Sequence, residues 1–111
     1  MLLAAGANVN AKDCLDNTPL HVASLKEYPS IVKVLLNSGA NINGVNSLRV
    51  TPLHNAVTGS HCKVVQELIA ARADVNAADN CGYTPLYLAY AKYDPLIIEL
   101  LLQAGANFDQ K

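Results

Sequence analysis

The chain has 111 residues, of which 51% are hydrophobic and 15% charged, with a formal net charge of −1. That balance describes one small folding domain and excludes the basic field that would hold nucleic-acid phosphates. Apolar residues never run to the roughly 18 needed to cross a bilayer, and Met1-Leu2-Leu3 lacks the basic flank of a signal peptide, so neither membrane insertion nor export is expected. Three cysteines, Cys14, Cys62 and Cys81, form an odd set without a secretory signal. They predict reduced thiols in an intracellular protein, cytoplasmic or nuclear.

In chain order, residues 1–10 read as the end of a helix closed by Gly6-Ala7 and followed by Asn10. Thr18-Pro19 then predicts a helix start: the threonine hydroxyl accepts from a free N–H of the first turn, and proline is tolerated where no donor is needed. Leu20 and Ala23 give that helix an apolar stripe at i, i+3. A second helix is expected from Pro29, with Ile31, Val32, Leu35 and Leu36 forming a wide buried face. Gly39 ends it, where the chain can turn left-handed at little steric cost.

The same plan returns at Thr51-Pro52-Leu53-His54 and at Thr84-Pro85-Leu86-Tyr87, each 33 residues after the last. Leu53 with Ala56 and Leu86 with Ala89 repeat the first stripe; Val64, Val65, Leu68 and Ile69, then Ile97, Ile98, Leu101 and Leu102, repeat the second. Asn43, Asn76 and Asp109 match Asn10, while Asn46 and Asp79 match Asp13. One helix pair of this size cannot bury both faces, whereas stacked pairs bury them against each other.

The Thr-Pro-Leu-His start, the IVKVLL-like run and the GANIN-like turn at a 33-residue interval resemble the ankyrin repeat. The resemblance implies an all-α solenoid of stacked helix-turn-helix units with projecting loops. One partial repeat (1–10) precedes three full ones, placed at 11–43, 44–76 and 77–109. It also implies that loops and first helices line a concave side, and that His21 and His54 tie neighbouring loops together. The ends lack polar capping units, so the chain is expected to be part of a longer array.

Several residues depart from the family pattern. Arg72 stands where glycine is expected, which predicts strain of about 1 kcal/mol in the second repeat. Asp16 and Arg49 replace the loop glycine kept at Gly82, predicting that the first two tips differ in shape from the third. Glu27, Ser60 and Tyr93 replace the glycine between the helices.

Catalytic chemistry finds little support. His61-Cys62 reads as a surface turn, since adjacent helical residues do not face each other and no second ligand pair stands at a useful spacing. No phosphate-binding glycine loop, GxSxG or HExxH is present, and no cofactor or metal is implied.

Protein binding is the expected function. Carried over from the resemblance, the contact positions are Cys14, Leu15 and Asn17 with Leu25 and Lys26; Ser47, Leu48 and Val50 with Thr58 and Gly59; and Asn80, Cys81 and Tyr83 with Ala91 and Lys92. Leu15, Leu48, Val50 and Tyr83 are apolar where a wet loop is usually polar, so they either form a partner-binding stripe or pack over neighbouring loops. Lys26 and Lys92 would add attraction for an acidic partner. An alternative is that the array is a regulatory or targeting segment of a larger enzyme, channel or ubiquitin-ligase adaptor. Asn10, Asn43 and Asn76 resemble loop asparagines that an oxygen-dependent hydroxylase modifies in some such repeats; bonding the loop to itself is the competing role.

Overall fold

A computed structural model describes residues 8–106; the expected helix end at Met1–Leu3, Gly6-Ala7 and Asp109 lie outside them. Six helices follow in chain order: Pro19–Leu25 (α1), Pro29–Asn37 (α2), Pro52–Thr58 (α3), Cys62–Ala70 (α4), Pro85–Lys92 (α5) and Pro95–Gln103 (α6). Each first helix packs on its own second helix. First helices also pack on first helices and second on second, so three antiparallel pairs stack into an all-α body measuring 43 × 25 × 19 Å.

The first helices start as their sequences require. Thr18, Thr51 and Thr84 hold extended backbone and their hydroxyls accept from the N–H three residues on, with proline next in line. The second helices begin on Pro29, Cys62 and Pro95. Only Asp94 supplies a side-chain cap, accepting from the Ile97 N–H at 3.3 Å.

The core runs through the stack as Leu20, Leu53 and Leu86 from the first helices and Leu35, Leu68 and Leu101 from the second. All six are essentially inaccessible to water, and each fully buried leucine contributes roughly 1.5–3 kcal/mol. Ala23, Ala56 and Ala89 keep neighbouring first helices close.

Backbone reversals are periodic too. Gly39 and Gly105 are left-handed at φ 94° and 96°, and Arg72 takes φ 73° in the equivalent place, so a side chain sits where L-residues are disfavoured. Glu27, Ser60 and Tyr93, between paired helices, are likewise left-handed.

The expectation that the tips differ in shape is overturned. Asp16, Arg49 and Gly82 share left-handed φ values of 66°, 60° and 83°, and each donates its N–H at 2.9 Å to the carbonyl three residues earlier. The tip is held by the side chain that opens it. Asp13 Oδ1 accepts from the N–H groups of Leu15 and Asn17, Asn46 Oδ1 from Leu48 and Val50, and Asp79 Oδ1 from Cys81 and Tyr83, at 2.9–3.0 Å. Two such bonds per tip fix the reversal whether or not glycine is present.

Candidate concave binding face

The three tips stand side by side. Ser47 N–H donates to the Leu15 carbonyl and Asn80 N–H to the Leu48 carbonyl, both at 3.0 Å, while Asn46 Nδ2 donates to Asn17 Oδ1 at 2.9 Å. Histidine makes the longer tie. In His21, Nδ1 accepts from the Thr18 N–H at 3.2 Å, which leaves Nε2–H to donate to the Val50 carbonyl at 2.7 Å. His54 repeats this with Thr51 and the Tyr83 carbonyl at 3.1 and 2.8 Å.

Burial pushes both imidazoles below the ordinary 6.5, outweighing the carbonyls that favour the charged form. Both are neutral structural donors. Asp13 is held below the usual 3.8 by the backbone N–H groups of Asn17 and Leu15, and so remains ionised within its loop.

The residues expected at the interface are partly gathered by this arrangement. Leu15, Asn17, Leu25, Lys26, Ser47 and Leu48 line one open groove of about 380 Å³ between the first two repeats, together with His21, Val22, Asn46 and Asn55. Leu15 and Leu48 remain 58% and 56% exposed. Val50 is half-buried and occupied on both sides: its N–H goes to Asn46 and its carbonyl receives His21.

In the third repeat Tyr83 is 40% exposed and stacks on Tyr87, with ring centroids 4.6 Å apart and planes 13° from parallel. Asn80, Cys81, Ala91 and Lys92 are exposed around that pair's repeat, as are Cys14 and Thr58 in theirs. The cysteines are free thiols.

Gly59 answers to a local requirement: a Cβ there would collide with the ring of His61. His61 is not the plain surface turn expected. Its Nε2 donates to the Leu25 carbonyl at 2.7 Å and its Nδ1 lies 3.6 Å from Glu27 Oε1, so it binds the second repeat to the end of α1.

The loop asparagines differ from expectation in the same direction. Asn10 Oδ1 accepts from the Asn41 N–H at 2.7 Å and Asn43 Oδ1 from the Asp74 N–H at 2.8 Å. Asn76 Nδ2 reaches the Gly105 carbonyl at 3.5 Å. These amides join one repeat's loop to the next, where bonding within a single loop was expected.

Val22 and Asn55 were missed as groove residues, although each lies one helical turn before Leu25 or Thr58. Among the described residues no three metal-ligating side chains converge, and no helix is long and apolar enough to cross a membrane.

Protein-family comparison matches the family described as ankyrin repeat over residues 15–47 and 81–111, and ankyrin repeats in many copies over 39–89. The chain belongs to the ankyrin repeat family. Such repeats generally mediate protein–protein interaction and are typically non-catalytic. Among curated proteins the chain is similar to protein fem-1 homolog C of Danio rerio, 49% identical over 37 residues, and to the Homo sapiens and Xenopus laevis homologs, 44% and 47% identical over 36. Those matches cover about a third of this ankyrin chain and 6% of the length of each relative.

Proposed function

We propose that this array is a non-catalytic module that binds a partner protein through its concave face and loop tips. The observation supporting this reading is the groove between the first two repeats. Residues from two tips and two first helices converge there, and Leu15, Leu25 and Leu48 stay 58%, 48% and 56% exposed, whereas the leucines of the central core are buried. An exposed apolar patch rimmed by polar side chains is the usual form of an interaction site. The groove is also preorganised, because the His21 bond to Val50 and the Ser47 bond to Leu15 fix one tip against the other before any partner arrives. Tyr83, backed by Tyr87, extends the face toward the third repeat and is the best single anchor there.

A second reading has the array as the targeting segment of a larger protein, an adaptor among the choices. The similarity to a short stretch of much longer fem-1 homologs favours it. The binding face would be the same in both. For Asn10, Asn43 and Asn76, the bonds across repeats favour a structural role over hydroxylation, since an enzyme would need the loops to open first.

The reading is tested by capture from host lysate with the parent chain and with a variant carrying Leu15→Ser, Leu48→Ser and Tyr83→Ala, after circular dichroism shows both equally folded. Partners held by the parent and lost by the variant support it; equal capture by both overturns it.

A further inference from the structure

We propose that the groove between the first two repeats takes an extended peptide in which an apolar side chain is flanked by acidic residues. This rests on the concave-face reading and adds the chemistry of the occupant.

The charges decide it. Of the carboxylates on the tip and first-helix side, Asp13 and Asp79 turn into their own loops, each accepting two backbone N–H groups. Glu27 faces His61 at 3.6 Å. Asp16 alone remains without a partner among the described residues, against four exposed cations equally without one: Lys12, Lys26, Arg49 and Lys92. Lys26 lines the groove itself, and Arg49 follows Leu48 on the second tip. On the second-helix side Lys33 of α2 is paired with Glu67 of α4 at 3.9 Å, while Lys63 of α4 is exposed.

The rest of the groove fits a peptide. Leu15, Val22, Leu25 and Leu48 offer apolar walls to one side chain. Asn55 donates its amide N–H to the His21 carbonyl at 3.2 Å, and its oxygen, with no partner among the described residues, can accept from the backbone of an extended chain. Acidic groups on either side of the apolar residue then meet Lys26 and Arg49, which sets register and speeds association.

The test is selection from a phage-displayed library of random dodecapeptides, with the strongest sequences synthesised and their affinities read by fluorescence polarisation. The expected peptides carry Asp or Glu on both sides of a large apolar residue. Their affinity falls about tenfold or more on joint Lys26→Glu and Arg49→Glu substitution and weakens with salt, whereas Lys33→Glu leaves it unchanged. Neutral or basic peptides that bind the parent and are lost with Leu15→Ser and Leu48→Ser would overturn the acidic occupant while sparing the concave-face reading. Peptides indifferent to both pairs of substitutions would overturn both. Repeated selections yielding no sequence above background would also overturn the proposal.

Discussion

The second and third repeats share one plan, yet equivalent side chains do different work. His54 is buried and bonded to the third tip, while its counterpart Tyr87 is 50% exposed and stacks on Tyr83. Val57 is fully buried, and its counterpart Tyr90 is 50% exposed. Thr51 closes a reciprocal cap with the His54 ring; Thr84 has only the one-way bond from the Tyr87 N–H, at 3.2 Å. A position in this stack acquires its energetic weight from what lies on its far side. Among the described residues, α3 has the first helix α5 beyond it, and no further first helix follows α5.

Substitutions at paired positions can break or sharpen that contrast. The largest expected effect is His54→Ala, which orphans the buried Thr51 N–H and the Tyr83 carbonyl and should cost about 2–4 kcal/mol in urea unfolding. Tyr87→Ala should cost less than about 1 kcal/mol, and equal losses at both sites would contradict the account. Next is Val57→Ala, expected to cost about 1–2.5 kcal/mol against roughly 0.5 or less for Tyr90→Ala. Ser24 occupies the same register in the first repeat, with its hydroxyl buried and unbonded, so Ser24→Ala should stabilise by up to about 1 kcal/mol. A gain of similar size is expected in the loops after the second helices: Arg72→Gly should raise stability by up to about 1 kcal/mol by placing glycine at a left-handed position, as at Gly39 and Gly105.

The contrast also has a pH signature. Because His21 and His54 are held below 6.5 when folded, the unfolded chain takes up protons that the folded chain refuses as pH drops past that value. Their contribution is complete above 6.5 and lost progressively below it. A denaturation midpoint followed across this range should fall with pH, and more shallowly in His54→Gln, whereas Tyr87→Ala should leave the slope unchanged.

What the sequence disclosed follows from where each constraint acts. Helix starts were legible because Thr-Pro and its cap partner are three residues apart, and the core because its leucines recur at one interval. The tips were misjudged because Asp16 and Arg49 drew attention as missing glycines, while the residue in control was the Asp or Asn three places earlier, whose side chain can hold either kind of residue left-handed. His61 was undervalued because its partner, the Leu25 carbonyl, is 36 residues away and belongs to a helix end that no local pattern marks. The groove was half visible: its tip residues stand out as apolar in a loop, whereas Val22 and Asn55 line it from two different first helices that only the stacking brings together. Gly59, expected as a contact, is explained by the imidazole lying against it.

The division of labour between the two sides of the stack is tested most directly by hydrogen–deuterium exchange on the chain alone and with a saturating bound partner. The account predicts slower exchange in residues 13–17 and 46–50 and in α1 and α3, with the outer helices α2 and α4 unchanged. Protection confined to α2 and α4, with the tips exchanging as in the free chain, would contradict it.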